Sequence, residues 1–189
     1  MTRLFVALPV PPALRDALAL TRGGLEGARW VDPGDYHLTL RFLGEVAPPD
    51  ARALRDALGA VAAYPFALEP LGFGVFGGGG PGSLHLALRA SDPLRRLKAS
   101  VDEAARAAGL GPPDKRRYSP HVTLARFGYR GGKGVAGWLA GRAVPDAPFP
   151  ADEIALYAAR PGGGGPYHAV ETWPLGHGWT EEDDGDDWA

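Results

Sequence analysis

Two short segments of the chain carry the same four-residue pattern. His37-Leu38-Thr39-Leu40 is followed, 84 residues later, by His121-Val122-Thr123-Leu124. Side chains alternate between the two faces of a β-strand, so each segment places a histidine and a threonine on one face. Histidine titrates near neutral pH, and threonine carries a hydroxyl that can donate a hydrogen bond. The two segments therefore supply two imidazoles and two hydroxyls in matching arrangements.

Such a set of side chains is suited to acid–base catalysis at phosphorus. If the two strands face each other, one imidazole can take a proton from water while the other gives a proton to the departing oxygen. The threonine hydroxyls would bind the oxygens on which negative charge grows. A single histidine on a strand is most often structural, but the chain has only five histidines and six threonines. Repetition of the whole pattern favours a functional interpretation.

The sequence predicts that this chemistry uses no metal ion. His-x-Thr is not the spacing of metal ligands, and the nearby acids Asp32, Asp35 and Asp114 form no carboxylate cluster with the motifs. The chain has no cysteine, which excludes disulfides and thiolate ligands. A phosphodiester that reacts without a metal is most easily cleaved when it is strained, and a ribose 2′,3′-cyclic phosphate is such a group.

Length and composition indicate one domain followed by a tail. The chain has 189 residues, 45% of them hydrophobic, which is enough for a core over residues 1–180. Residues 181–189 contain six acids and no base, and we predict a disordered acidic tail there. The remainder has 20 basic and 16 acidic residues, a net charge of +4 that suits an anionic ligand. No export signal or membrane-spanning run is recognised, so a cytoplasmic protein is expected. A monomer is expected as well.

The apolar pattern predicts alternating strands and helices. Helices are predicted over about 12–22, 49–62 and 93–108, each entered at or beside a proline. Strands are predicted over 3–8, 36–43, 66–75, 84–88, 120–127, 152–158 and 167–174.

A second repetition indicates two similar halves. The segment 4–8 matches 84–88 at an offset of 80 residues, and Leu14-Arg15 matches Leu94-Arg95 at the same offset. Each half thus reads as a strand, a helix and then a strand that carries the His-x-Thr-Leu motif. Duplicated halves tend to pack about a pseudo-twofold axis, which would bring the two motifs across a central cleft.

Strict alternation along the first motif strand predicts which side chains line that cleft. Helices must cover one face of the sheet, so the apolar set should lie beneath them and the polar set should be open. The first set is Leu38, Leu40 and Phe42, and the second is His37, Thr39 and Arg41. By the same parity Arg126 falls on the helix side, unless a β-bulge after Leu124 turns it towards the cleft.

The motifs and their flanks resemble the 2H phosphoesterases. The segments that carry the resemblance are Leu4-Phe5-Val6-Ala7-Leu8, Tyr36-His37-Leu38-Thr39-Leu40-Arg41-Phe42-Leu43-Gly44 and Ser119-Pro120-His121-Val122-Thr123-Leu124-Ala125-Arg126. Within that superfamily, residues 3–176 look like the RNA 2′,3′-cyclic phosphodiesterases, historically named 2′-5′ RNA ligases. The resemblance implies a bilobal α+β fold with pseudo-twofold symmetry, two mainly antiparallel sheets lining a central cleft and helices outside. It also implies hydrolysis of RNA or nucleotide 2′,3′-cyclic phosphate to a 2′-phosphate.

The resemblance further implies a role for each site residue. His37 would be the proton donor to the leaving 3′ oxygen, and His121 the proton acceptor from water. Thr39 and Thr123 would bind the phosphate, with Arg126 as an additional phosphate-binding cation. No cofactor or metal is implied. From the residues alone the donor and acceptor are interchangeable, and two alternatives stay open: reversible 2′-5′ ligation of tRNA halves, and a non-catalytic module that binds nucleotides or RNA ends.

Three further features have two interpretations each. Phe5 and His85 alternate onto the predicted cleft face, where they could touch the base or sugar of a substrate or could be packed interior residues. The basic run Lys115-Arg116-Arg117, followed by Tyr118, could contact an RNA backbone or could be a solvated loop.

Overall fold

A computed structural model gives the architecture of residues 1–77, 81–113, 116–128, 133–145, 148–159 and 167–176. The strands are β1 (Thr2–Pro9), β2 (Ala28–Trp30), β3 (His37–Val46), β4 (Phe66–Leu68), β5 (Pro70–Phe76), β6 (Gly82–Leu88), β7 (His121–Phe127), β8 (Phe149–Ala151), β9 (Glu153–Ala159) and β10 (Tyr167–Pro174). The helices are α1 (Pro12–Ala19), α2 (Pro48–Gly59), α3 (Asp92–Ala107) and α4 (Val135–Ala140). The predicted acidic tail lies outside the described residues.

The predicted helices and strands are present, with changes at their ends. Helix α1 ends at Ala19, earlier than predicted, and the next residue, Leu20, is 86% exposed. The predicted strand over 66–75 is divided into β4 and β5 at Glu69. Strands β2 and β8 and helix α4 were not predicted, because segments of three to six residues show too little periodicity.

The three long helices begin where the sequence supplies start signals. Each has a proline in its first turn, where the missing N–H is not needed, and the Ser91 hydroxyl accepts a hydrogen bond from Leu94 N–H at the start of α3. Their buried side chains repeat every three or four residues and form the apolar stripe that covers the sheet. These residues are Leu14 and Leu18 in α1, Leu54 and Leu58 in α2, and Leu94, Leu97 and Val101 in α3.

One large antiparallel sheet organises the described residues. Its strand order is β10-β9-β1-β3-β7-β6-β5, with β2 paired to β7. The order is mirrored about the line between β3 and β7, since β1 flanks β3 as β6 flanks β7. The predicted α+β fold with duplicated halves is confirmed in this arrangement.

The two predicted sheets are joined rather than separate. Strands β3 and β7 share one recorded residue pair, Leu38 opposite Val122. Beyond that pair the edge of β7 is taken by β2, whose Trp30 lies opposite Ala125. The histidine strands of the two halves are therefore paired at one recorded position, immediately after each histidine.

Both histidine strands contain an irregularity at the leucine that ends the motif. The register between β1 and β3 skips Leu40, and the register between β6 and β7 skips Leu124. A bulge of this kind adds one residue to the strand, so the residues that follow it change face until the next irregularity, which in β3 comes at Leu43.

The bulges overturn part of the prediction made from strict alternation. Arg41 is buried, with 6% exposure, whereas Phe42 is 70% exposed. Phe42 is thus on the open side and Arg41 beneath the helices, the reverse of the expectation. In β7 the equivalent positions are Ala125, which is buried, and Arg126, which is exposed. Alternation fails because period two holds only while the pairing is regular.

Candidate functional site

His37 and His121 lie on neighbouring strands at the point where the two halves of the sheet meet. Each precedes one member of the pair Leu38–Val122, whose side chains are buried in the core. Alternation puts both histidines on the opposite face, and extending the antiparallel register by one residue in each direction sets His37 opposite Thr123 and His121 opposite Thr39. Residues distant in sequence are thereby brought to one place on the sheet.

The backbone fixes both imidazoles in the same way. Nδ1 of His37 lies 2.6 Å from the carbonyl oxygen of Asp35, and Nδ1 of His121 lies 2.7 Å from the carbonyl oxygen of Ser119. A carbonyl can only accept, so each Nδ1 donates its proton. Nε2 is then left as the nitrogen that can accept or donate a proton to a ligand.

The two threonines share the face of the histidines and are half-buried. Among the described residues, no hydrogen bond of either hydroxyl is recorded, which leaves both available to a ligand. The Tyr118 hydroxyl donates a hydrogen bond of 3.1 Å to the Thr39 carbonyl, which restrains the backbone at Thr39.

Arg126 lies within electrostatic range of both histidines. Its positive charge is one of the causes that lower the pKa of His37 and of His121. Its side chain is exposed, and no ion pair of Arg126 is recorded among the described residues. An exposed guanidinium within electrostatic range of two histidines can attract an anion to this face of the sheet.

Arg41 has a different environment, under the helices. Its guanidinium forms a salt bridge of 3.1 Å with Asp102 of α3 and donates to the carbonyl of Gly111. Asp102 also binds Lys98, at 2.6 Å. Arg41 therefore joins β3 to α3 and does not face the histidines.

The chain matches the family described as LigT like Phosphoesterase over residues 8–83 and 86–167, a range that includes both motifs. The chain belongs to this phosphoesterase family. The family predicted from the motifs is confirmed.

Individual relatives of this phosphoesterase agree with the family match. An RNA 2′,3′-cyclic phosphodiesterase of Geobacillus stearothermophilus is 32% identical over 180 residues, covering 90% of this chain and 56% of the relative. The chain thus spans little more than half the length of that protein. A Bacillus subtilis protein of the same name is 31% identical over 163 residues, covering 82% and 83% of the two chains. Crystalline E. coli LigT in its apo form superimposes with a TM-score of 0.71 at 26% identity, covering 92% of this chain and 97% of that one.

The phosphoesterase holds both motif histidines in their neutral form when the site is empty. Burial lowers the pKa of His37 to about 4, opposed by the hydrogen bond to Asp35 and assisted by Arg126 and His121. Burial also lowers the pKa of His121, again with a contribution from Arg126. Both imidazoles are consequently uncharged at pH 7, and a bound anion is needed to favour protonation of either.

Aromatic side chains surround His37. Phe5, Tyr157 and Tyr167 lie with their ring centroids 4.7, 5.7 and 5.5 Å from the imidazole. Phe5 is only 2% exposed and stacks on Tyr157, so it is a packed interior residue and not a surface for a ligand. Asp35 also accepts a hydrogen bond from Tyr167 N–H through Oδ1, which ties β10 to the segment that orients His37.

Sequence reasoning missed several aromatic residues of this face. Tyr157 and Tyr167 lie in predicted strands, but no motif marks them, and only the pairing of β9 with β1 and β10 brings them to His37. Phe42 and Phe76 are exposed by 70% and 38% on the two sides of the histidine pair. A bulge after Leu124 was considered in predicting the face of Arg126. Assuming the same bulge after Leu40 would have predicted that Phe42 lies on the open face.

His85 and Phe5 hold equivalent positions in the two halves. His85 is 5% exposed and lies 5.4 Å from His121 between ring centroids, so it is packed against the site and has little contact with solvent. Its position opposite Thr123 agrees with the predicted face.

The predicted basic run lies partly outside the described residues. Lys115 is not described, whereas Arg116 and Arg117 are exposed. Arg117 lines a cavity of about 290 Å³ beside α3, together with Arg95 and Lys98, and neither motif histidine is among the residues that line it. The predicted contact with an RNA backbone stays a prediction.

Two kinds of feature are absent from the described residues. They contain no group of three or more histidine, aspartate or glutamate side chains able to hold a metal ion. They also contain no helix with the length and apolar character needed to cross a membrane.

Proposed function

We propose that this phosphoesterase hydrolyses RNA or nucleotide 2′,3′-cyclic phosphate to a 2′-phosphate, with His121 as proton acceptor and His37 as proton donor. One observation carries the proposal: His37 and His121 are held in the same way on one face of the sheet. Each donates Nδ1–H to a backbone carbonyl, which leaves Nε2 available to the substrate. A pair of opposed proton-transfer groups is what cleavage of a phosphodiester by water requires.

The phosphate would lie between the two motifs. Arg126 offers a cation, and the hydroxyls of Thr39 and Thr123 offer neutral donors, so the two non-bridging oxygens are bound where charge increases in the transition state. Because one threonine comes from each motif, a tetrahedral phosphate can accept a hydrogen bond from each of its two sides.

The reaction then proceeds as an in-line displacement. Nε2 of His121 removes a proton from water as the water oxygen forms a bond to phosphorus. The bond from phosphorus to the 3′ oxygen breaks, and Nε2–H of His37 protonates that oxygen. The product carries a free 3′ hydroxyl and a 2′-phosphate, and proton exchange with solvent restores both histidines.

Substrate charge supplies the protonation state that this mechanism needs. In the empty site Arg126 helps to lower the pKa of His37, which reaches about 4. A phosphodiester anion beside Arg126 offsets that positive charge and attracts a proton to a neighbouring imidazole. Binding of the substrate therefore favours the proton on His37 that the leaving oxygen will receive.

Phe42 provides a surface for the base of the substrate. Its ring is 70% exposed and lies 5.9 Å from Phe5, on the strand that carries His37. Stacking of a base on an exposed aromatic ring is a common contact of single-stranded RNA. Phe76, on the side of His121, offers a second such ring.

The names of the relatives support the same substrate class, since the Geobacillus and Bacillus proteins are RNA 2′,3′-cyclic phosphodiesterases. RNA ends and nucleotides with a cyclic phosphate are accordingly the proposed partners. Metal independence, a cytoplasmic location, a monomeric state and the reverse 2′-5′ ligation remain predictions.

Hydrolysis of an RNA oligonucleotide with a 2′,3′-cyclic end, in buffer containing EDTA, tests the proposal. We expect metal-independent turnover and a product that is exclusively the 2′-phosphate. The double variant His37→Ala/His121→Ala is the matched control for contaminating nucleases, and it should be inactive.

Three outcomes would contradict the proposal. Saturable binding without turnover would favour the non-catalytic module. Activity that appears only after a metal is added would contradict the metal-free mechanism. A 3′-phosphate product would mean that the 2′ oxygen leaves instead of the 3′ oxygen.

A further inference from the structure

His85 is a buried histidine that the proposed reaction does not use. Its side chain is 5% exposed, and among the described residues its Nδ1 has no hydrogen-bond partner of normal geometry, although the Ser83 backbone lies close enough to affect its pKa. Burial of an imidazole nitrogen without a well-formed hydrogen bond is unfavourable, so its presence calls for an explanation. Burial and the neighbouring His121 lower the pKa of His85 to about 4, which keeps the ring neutral at pH 7.

Two neighbours hold the His85 ring in place. It stacks on Phe76 with a centroid distance of 4.0 Å and an interplanar angle of 17°. Gly74 of the adjacent strand lies against its edge, since a Cβ on Gly74 would be only 2.8 Å from Nε2 of His85. The absence of a side chain at position 74 thus makes room for the imidazole.

The ring that is held in this way supports His121. Their centroids are 5.4 Å apart with the rings inclined by 66°, and Phe76 meets His121 edge-on at 4.8 Å. The hydrogen bond from Nδ1 to Ser119 restrains one edge of the His121 ring but leaves rotation about that contact open. Packing by His85 and Phe76 restrains the plane of the ring.

The other half of the sheet has the same arrangement with different residues. Phe5 lies 4.7 Å from His37 and stacks on Tyr157, as His85 lies beside His121 and stacks on Phe76. A buried ring behind each motif histidine is therefore a repeated feature, and in the second half that ring is an imidazole.

We propose that His85 is a positioning residue for His121: it holds the ring plane in which Nε2 meets the attacking water and keeps solvent from the buried side of that ring. The proposal rests on the proposed function, because it assigns His85 to the same acceptor. His85 acts through His121 and has too little exposure to touch the substrate itself.

The test replaces His85 by alanine and uses His168→Ala, an exposed histidine of β10, as the matched control. A void beside His121 admits water and loosens its ring. We expect kcat to fall by about 10- to 100-fold, as small misplacements of catalytic groups do. KM should change less than twofold. One limb of the pH–rate profile should move while the other stays.

A readout independent of turnover accompanies the kinetics. The pKa of His121, followed by NMR from its ring protons, should rise towards its ordinary value in His85→Ala, because burial is the main cause that lowers it. The pKa of His37 should stay as it is in the wild type.

Gly74→Ala tests the same contact without deleting His85. The added methyl group would displace the imidazole, so we expect the loss of kcat and the selective change at His121 again. Gly137→Ala in α4 is the matched control, since a Cβ there meets nothing within 4 Å.

Two results would overturn the proposal: folded His85→Ala and Gly74→Ala proteins with wild-type kcat and an unmoved His121 titration, or an equal disturbance of His37 and His121. Failure of the proposed function is distinguishable, because the wild-type protein would then not turn over the cyclic phosphate at all.

Discussion

At the scale of single residues, the site combines groups whose roles depend on the side of the strand to which they turn. Arg126 and Arg41 are both arginines of motif strands, yet only Arg126 is exposed and within electrostatic range of the histidines. The bulge at Leu124 is what gives Arg126 this position.

Replacement of Arg126 by alanine should lower kcat/KM for the cyclic phosphate by about 10- to 100-fold, because the substrate loses a charge-assisted hydrogen bond. It should also raise the pKa of both histidines, since one cause that lowers them is removed. Steady-state kinetics and NMR titration measure the two effects. Arg126→Lys, which keeps the charge and loses the planar fork, should recover part of the rate. Unchanged kinetics in Arg126→Ala would remove this residue from the site.

Phe42→Ala is expected to raise KM for a cyclic nucleotide by about 5- to 150-fold with little change in kcat, because base stacking contributes about 1–3 kcal/mol to binding. Exposed Leu71, on β5, provides the control substitution Leu71→Ala. An unchanged KM in Phe42→Ala, or a loss confined to kcat, would contradict a stacking role.

At the scale of elements, the sequence predicted the two motif strands well, because histidine, threonine and aliphatic residues alternate there without interruption. It did not predict the change of face after Leu40, and it named a bulge after Leu124 only as an exception to strict alternation, since a bulge depends on pairing with another strand and leaves no periodic signal. The wrong faces predicted for Arg41 and Phe42 and the exposed position of Arg126 have this one origin. Tyr157 and Tyr167 could not be assigned to the site for a related reason: their approach to His37 depends on strand order.

Arg41 has a structural role in the buried ion pair between β3 and α3, whereas strict alternation predicted that it lines the cleft. Variants of this ion pair distinguish the two roles. Asp102→Asn should destabilise the fold by about 3–5 kcal/mol, because it leaves the buried Arg41 guanidinium without its carboxylate. Urea unfolding measures the loss, and kcat of the folded fraction should stay within a few-fold of the wild type. The double variant Arg41→Met/Asp102→Leu should recover much of the stability. Lost activity at unchanged stability in Arg41→Met would instead favour the cleft position predicted from alternation.

At the scale of the whole molecule, the histidines whose pKa values are lowered connect the site to the stability of the fold. His37 and His85 have folded-state pKa values of about 4, below the value of about 6.5 in an unfolded chain. As the pH falls from about 6.5 to 4, the unfolded chain takes up these protons first, so stability decreases over that window and levels off below it. His85, which is 5% exposed, contributes to this loss together with His37.

Urea unfolding at pH 7, 5.5 and 4.5 should show this decrease, and His37→Gln should reduce its slope, because one of the contributing groups is removed. His168→Gln, at an exposed position, is the matched control. A free energy of unfolding that is the same at pH 7 and pH 4.5 would contradict the burial of these imidazoles as neutral groups.

The central claim is that one motif histidine donates a proton and the other accepts one, and the pH dependence of the two single variants tests it most directly. His37→Ala retains only the acceptor, so its residual rate should rise with pH through the pKa of His121. His121→Ala retains only the donor, so its residual rate should fall as pH rises through the pKa of His37. Each variant should lose about 10²- to 10⁴-fold in kcat. Opposite slopes are the predicted result; equal slopes, or wild-type activity in either variant, would contradict the account.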